Sequence, residues 1–381
     1  MLKSSSCSLP RFSVSRPSSR TNFLSKMITS PEPLCPKFIP TEKSGSASIS
    51  KPEGFKFSIV SYNILAQAYV KSALFPHSPS PCLKWKARSQ AILTVLKGIG
   101  SDFLCLQELD EYDSFYKKII ESFGYSSIYV QRGGQKRDGC GIFYKPKSAE
   151  LIIEEKIDYN DLINSIQDEA TRPKLNDDDL PNSRKSSKST NELKSNQTDR
   201  GDPNDPRLRL KRDCVGIMAA FKLNGPCHHI IVANTHIYWD PEWVDVKLAQ
   251  AGYLLSRLAQ FKSRVSEQLG IIPSIIVAGD FNSVPGDQVY QYLVSDMTTS
   301  LLGPLCSVYA YTKGEPHFTN CTPGFTGTLD YILFSPSGDV KPVGCLELPE
   351  PESCDVQGGL PNYYHPSDHL PIGAEFEVSQ N

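Results

Sequence analysis

The sequence predicts an α/β domain built on packed mixed sheets, and three observations point to it. Short apolar runs rich in β-branched residues recur along the chain, stretches of helical period lie between some of them, and several runs follow one another with no helix between. The alternation makes the domain layered, and the neighbouring strand pairs argue against a purely parallel doubly wound sheet.

FKFSIVSYNIL, beginning at Phe55, is the first strand, with polar groups where it ends. Trp85 to Ile99 has helical period and leads into the strand DFLCLQE, after which Ser114 to Phe123 is a second helix. DGCGIFYK, CVGIMAAFKL and HHIIVANTHIYWD follow as strands. Val244 to Leu269 is a long helix before PSIIVAGDFNS, and TLDYILFS is the last apolar run of the series. Residues from about 164 to 206 are rich in Asp, Asn, Ser and Lys with almost no apolar side chains. That composition cannot bury enough surface to order itself. It is expected to be a flexible surface insertion in a catalytic domain spanning 51–381, and a second flexible connection is expected near Pro349–Pro361.

Residues 1–50 are expected to form an unfolded leader. Lys3, Arg11, Arg16, Arg20 and Lys26 stand among many serines, and no acidic residue precedes Glu32. This fits a mitochondrial or plastid transit peptide, or equally a disordered Ser/Pro-rich tail, since Pro10 and Pro17 break an amphipathic helix. Met27 is an alternative start that would remove the leader.

A formal net charge of -2 over 381 residues argues against a nucleic-acid binder held by bulk positive charge. It leaves room for an enzyme that meets phosphate with a metal ion or a local basic groove. The 11 cysteines form no C-x-x-C pair, which suits reduced thiols better than a disulfide framework or a structural zinc site. No apolar run approaches the roughly 18 residues of a membrane helix, so no membrane partner is expected.

The chemistry lies where the strands end. Asn63 follows FSIVSY, Gln107 and Glu108 follow DFLCL, and Asn234 and His236 follow IIVA. Asp280 and Asn282 follow SIIVAG, Asp330 sits in TLDYILF, and Asp368-His369 follows a Pro-rich loop. In α/β sheets such strand ends converge on one crevice. Singly, each residue is explained as a turn or surface position; together they form a complementary set. Carboxylates, amides and histidines without a thiol cluster suit a hard cation such as Mg2+. Glu108 is the best metal candidate, with Asn63 beside it. Asp280 can orient or deprotonate a water, Asn282 can donate to a phosphoryl oxygen, and His369, held by a carboxylate such as Asp330, can stabilise developing charge.

SYNIL, CLQELD, ANTHIYW, AGDFNSVPGD, GTLDYI and PSDHLPI, in that order from about Phe55 to Phe376, resemble the motif series of the exonuclease–endonuclease–phosphatase superfamily. Within it, YNILAQAY, Trp85 to Arg88, CLQELDEYDSFY, RDGCGIFY, HIYWDPEWVDVKLAQ and HPSDHLPIGAEF are similar to the carbon-catabolite-repressor-type deadenylases and their short relatives nocturnin and angel. The resemblance implies a four-layer α/β sandwich with two central mixed β-sheets flanked by helices. It also implies Mg2+-dependent removal of 3′ adenosines from poly(A) RNA, with 5′-AMP released. A nucleotide phosphatase acting on NADP(H) is the alternative that the nocturnin likeness allows, and a catalytically weak RNA-binding relative is a third.

Carried over by motif, Glu108 and Asn63 would serve the metal and Asp368 a second ion. Asp280 would activate water, Asn282 would position phosphate and base, and His236 and His369 would stabilise phosphoryl oxygens, with Asp330 orienting His369. Pro241 and Phe325 match positions that hold adenine, and stacking on a ring such as Phe325 contributes about 1–3 kcal/mol per base. Lys136 and Arg137 are candidates for phosphate contacts. The resemblance implies a cytoplasmic and nuclear location, whereas the leader points to an organelle. About 50 polar residues precede Phe55 without an L-x-x-L-x-L repeat, so leucine-rich-repeat docking to the deadenylase scaffold is not expected.

Overall fold

The computed structural model describes residues 31–41, 54–164, 205–225, 228–295, 302–336 and 339–379. In chain order the strands are β1 (Phe38–Pro40), β2 (Phe55–Asn63), β3 (Phe103–Gln107), β4 (Ser126–Gln131), β5 (Gly139–Tyr144), β6 (Ala149–Asp158), β7 (Val215–Leu223) and β8 (His229–His236). They continue with β9 (Ser274–Asp280), β10 (Cys306–Ser307), β11 (Asn320–Thr322), β12 (Phe325–Gly327), β13 (Asp330–Phe334), β14 (Val340–Leu346) and β15 (Ile372–Val378). The α-helices are α1 (Trp85–Ile99), α2 (Lys117–Ser122), α3 (Pro206–Leu210), α4 (Val244–Leu269), α5 (Gln288–Val294) and α6 (Val308–Thr312).

One sheet runs β1-β14-β15-β2-β3-β5-β4 and the other β10-β13-β9-β8-β7-β6, with β11-β12 a separate hairpin. Both large sheets are mixed. Among the described strands only β2–β3 and β8–β9 pair in parallel, each joined through one long helix. The period of two along each strand separates the layers. Phe57 and Ile59 of β2 pack against Ile217, Phe221 and Ile276 between the sheets, whereas Val60 and Tyr62 turn outward onto Ile92 and Leu96 of α1. On the second sheet Val232 points inward, while Ile231 and Ala233 meet Leu254 and Leu258 of α4. Helix, sheet, sheet and helix therefore stack as four layers around three apolar interfaces. Both long helices stop where a left-handed glycine follows, Gly100 (φ 61°) and Gly270 (φ 67°).

A polar link crosses the sheet–sheet interface just below the strand ends. The Gln107 amide donates to Asn234 Oδ1 at 2.7 Å, and the Asn234 amide donates to the Leu106 and Gly141 carbonyls at 3.0 and 2.9 Å. Both residues are fully buried, so these bonds fix how one sheet sits on the other.

The structure corrects three boundaries. Residues 38–40 of the expected leader form β1 at the edge of the larger sheet, where Pro40 is tolerated because an edge strand has one unpaired side. The helix expected over Ser114 to Phe123 is a π-turn over Tyr112–Tyr116 followed by the short α2. The stretch near Pro349–Pro361 lacks regular structure but is packed: Val356 and Leu360 are buried against Phe318 and Leu370, and Leu360 N donates to the Cys321 carbonyl at 2.7 Å. Residues 1–30, Met27 included, and 165–204 of the expected insertion lie outside the described residues. No described helix is long and apolar enough to cross a membrane.

Candidate active site

Both parallel pairs end on the same crevice. In β2–β3 the register sets Asn63 opposite Gln107, with Glu108 one residue on; in β8–β9 it sets His236 opposite Asp280. Antiparallel β13 brings Asp330 opposite Asp280, and His369 precedes β15, which lies beside β2. Six expected residues thus come from both sheets to one place.

Asn63 is the pivot. Its Nδ2 donates to Glu108 Oε1 at 3.1 Å and to Asp280 Oδ2 at 2.9 Å, while its Oδ1 accepts from Leu65 N at 3.0 Å. Ser367 Oγ donates to the Asn63 carbonyl at 2.7 Å, tying the SDH loop to β2. Glu108 Oε2 accepts from Ala66 N at 3.0 Å, and Asp280 Oδ1 accepts from Asn282 N at 2.9 Å. Leu65, Glu108 and Asn282 all adopt positive φ (56°, 51° and 47°). Such backbone is strained for residues with a side chain and persists where surrounding bonds hold it, as at functional sites.

The second cluster is an imidazole–carboxylate relay. His369 Nδ1 donates to Asp330 Oδ2 at 2.7 Å, and the same oxygen accepts from Thr319 Oγ at 2.6 Å. His369 Nε2 lies 3.7 Å and His236 Nε2 3.5 Å from Asp280 Oδ2, so one carboxylate oxygen faces two imidazoles. Burial pushes His236 below its ordinary pKa. Burial also opposes charge on His369, but the Asp330, Asp280 and Asp368 carboxylates hold it well above the ordinary value. Burial first, and then the Asp330 charge, raise Asp280.

Glu108 is raised to about 7, first by burial and then by the charges of Asp368 and Asp138. Negative charge thus accumulates around Glu108. This oxygen-rich corner suits a hard divalent ion, with Glu108 and Asp368 the carboxylates available to it. Asp280, Asp330 and His369 also present donor atoms within 4.8 Å of one another. Their mutual hydrogen bond and the proton held on His369 make them better suited to proton handling than to coordination.

Asn282 lies beside Asp280, but in a left-handed turn rather than on an extended face. Its amide Nδ2 donates to the Ile237 carbonyl at 3.0 Å. Pro241 is exposed in the loop after β8, and Phe325, 42% exposed, lies in the β11–β12 hairpin with its ring over Gly327. Lys136 stacks its ammonium over the Tyr69 ring at 5.6 Å. Tyr69 donates in turn to Asp138 at 2.6 Å, and Arg132 pairs with Asp138 at 3.5 Å.

Sequence reasoning missed several supports. Arg88, 1% exposed, donates from Nη2 to the Ile64 and Leu65 carbonyls, from Nη1 to Gln67 and from Nε to the Pro366 carbonyl. Lys247 Nζ donates to the Asn282 carbonyl at 2.8 Å. Thr319 carries no local signal, whereas Arg88, Lys247, Asp138 and Ser367 lie inside the quoted Trp85 to Arg88, HIYWDPEWVDVKLAQ, RDGCGIFY and PSDHLPI motifs.

Comparison with known proteins follows the same outline. The profile of the Endonuclease/Exonuclease/phosphatase family matches residues 60–369. Carbon catabolite repressor protein 4 homolog 4 of Arabidopsis thaliana is 62% identical over 335 residues, which cover 85% of this chain and 78% of that protein. The Schizosaccharomyces pombe CCR4-Not complex 3′-5′-exoribonuclease subunit Ccr4 is 28% identical across 88% of this chain, which spans 51% of that subunit. The crystal structure of ANGEL2, a 2′,3′-cyclic phosphatase, superposes with a TM-score of 0.65 at 26% identity, covering 87% of this chain and 100% of that one. The human Nocturnin catalytic domain shares the fold, with a TM-score of 0.58 at 22% identity over 85% of this chain and 94% of that one. This chain belongs to the Endonuclease/Exonuclease/phosphatase family and is a close homologue of the Arabidopsis carbon catabolite repressor 4 homolog.

Proposed function

We propose that the protein is a 3′-exoribonuclease that prefers poly(A) and releases 5′-AMP, with Mg2+ held at Glu108 beside Asn63 and Asp368. The Asn63 amide carries this reading, because it donates at once to the carboxylate suited to a cation and to the buried candidate base. A bound divalent ion would supply charge neutralisation for the phosphoryl oxygens and the leaving oxygen.

The rest falls to the chain's own groups. Asp280, its carboxylate fixed by Asn63 and Asn282 and its pKa raised, orients the attacking water and accepts its proton. His369, kept protonated by Asp330, places positive charge against the phosphoryl oxygens as negative charge grows there. His236, kept neutral by burial, donates one N–H to the same oxygens. Asn282 positions the phosphate, and Pro241 and Phe325 hold the terminal adenine.

The exoribonuclease name of the Schizosaccharomyces pombe relative supports RNA as substrate. The cyclic-phosphatase name of ANGEL2 supports a second reading on the same residues, phosphate removal from an RNA end or from a nucleotide such as NADP(H). A substrate panel with purified protein separates them. Oligoadenylate, oligouridylate, RNA ending in a 2′,3′-cyclic phosphate and NADP(H) would each be tested with Mg2+ and with chelator. Stepwise 5′-AMP release from oligoadenylate, lost in chelator, is expected. Phosphate release from NADP(H) or the cyclic end, with no 5′-AMP from RNA, would replace the exoribonuclease reading.

A further inference from the structure

We infer that Arg212 and Trp239 form a subsite for the nucleotide next to the one being removed. The guanidinium would take that nucleotide's phosphate and the indole would stack on its base, a role that rests on the exoribonuclease reading above.

Arg212 lies on the segment between α3 and β7. Its guanidinium sits 4.1 Å from the centroid of the Trp243 ring and 5.2 Å from that of Tyr238, and Arg209 lies 4.1 Å from the same Trp243 centroid. The two arginines differ in how their charge is met. Arg209 makes a paired contact with Asp245, Nε to Oδ2 at 2.6 Å and Nη2 to Oδ1 at 2.8 Å. Arg212 has no carboxylate or hydrogen-bond acceptor for its guanidinium among the described residues, and its Nε is buried without a partner. The Nε is closed off, but the side chain is only partly buried, and a planar guanidinium without a carboxylate partner matches phosphate oxygens.

Both residues border the active site. The Arg212 carbonyl accepts from Arg132 Nη2 at 3.3 Å, and Arg132 pairs with Asp138, whose charge acts on Glu108. Tyr238, under the Arg212 guanidinium, is two residues beyond His236. Trp239 follows it, with ring centroids 6.1 Å apart, and leaves 63% of its surface uncovered. The loop bearing Trp239 also bears Pro241. A guanidinium with no carboxylate partner and an open indole, carried on neighbouring segments that both meet Tyr238 at the rim of a site for phosphodiesters, are the two elements of single-strand recognition.

The test measures fluorescence anisotropy of labelled oligoadenylate, with 5′-AMP as competitor, in an Asp280→Asn background that prevents turnover. Trp239→Ala should weaken oligoadenylate binding by about 5–100-fold. Arg212→Gln should weaken it about tenfold and flatten the plot of log affinity against log salt by about 0.7, whereas Arg209→Gln should leave that slope unchanged. Arg212→Lys should keep the slope, because it keeps the charge while giving up the flat contact with Trp243. Affinity for 5′-AMP should change by less than about twofold in every case, since one nucleotide does not reach the subsite. Unchanged oligoadenylate affinity in both Trp239→Ala and Arg212→Gln would overturn the subsite, as would equal losses for 5′-AMP and oligoadenylate, or no oligoadenylate binding at all. Failure of the exoribonuclease reading would appear elsewhere, as absent 5′-AMP release by the unmutated protein, and leaves this binding comparison decisive.

Discussion

The β2–α1–β3 and β8–α4–β9 units are the same device used twice, once in each sheet. Each ends its parallel pair on the crevice, and each crossover helix sends one buried cation to loop carbonyls at the site. From α1, Arg88 reaches Ile64, Leu65 and Pro366; from α4, Lys247 reaches Asn282. The units differ in what the strand ends carry. The first delivers an amide and a carboxylate into a corner of carboxylates, whereas the second sets one carboxylate against imidazoles. A common scaffold therefore carries two different sets of side chains at equivalent positions, the sets to which the proposed function assigns cation holding and proton handling.

The sharpest way to separate the units is to disable each in turn. Asp280→Asn and Glu108→Gln should each lower kcat by about a thousandfold or more. They should part in calorimetric Mg2+ titration, with binding kept in Asp280→Asn and lost in Glu108→Gln. Equal loss of Mg2+ binding in both would erase the division of labour.

The two cations can be ranked by denaturant unfolding. Arg88→Ala leaves several carbonyls unpaired and should cost about 3–5 kcal/mol, while Lys247→Met, which releases one carbonyl, should cost about 1–2 kcal/mol. The reverse order would place the greater scaffold load on the second unit.

A smaller effect is expected from pH. Glu108 has its pKa raised from 4.5 to about 7, so the folded state favours its protonated form. Its contribution is therefore greatest at low pH and is lost as pH rises from about 4.5 through about 7, at a cost of about 1–3 kcal/mol. In chelator at pH 8, Glu108→Gln should melt above the unmutated protein, and added Mg2+ should raise only the latter. Smallest should be Phe325→Ala, which lies outside both units. It should raise KM for oligoadenylate about tenfold and leave Mg2+ binding intact, checked by steady-state kinetics and titration.

Much of this was legible from the chain alone, because strand ends and helix periods are local signals. Trp85–Ile99 and Val244–Leu269 are helices over the expected spans, and Asn63, Glu108, His236 and Asp280 sit where their apolar runs stop. The supports were not legible, since their partners are distant in sequence. Arg88 stands in a quoted motif, but its role appears only when α1 brings its guanidinium to the Pro366 carbonyl, and Thr319 has meaning only beside Asp330. β6 escaped notice because charged residues interrupt its apolar ones on both faces, and β1 because three residues ending in Pro40 and lying just after Pro36 resemble a tail. At the start of RDGCGIFY the basic pair Lys136 and Arg137 drew attention, yet Asp138 is the residue engaged with Tyr69 and Arg132.

The Asn63 amide has a consequence of its own. Two carboxylates that meet directly can share one proton and so titrate as a single unit. Here both N–H groups of one nitrogen lie between them, and an amide gives up neither proton at any physiological pH. It works as a proton insulator. Under the proposed function, Glu108 would exchange its proton for a cation while no proton passes through the amide to Asp280, so loading the site would not disarm the base.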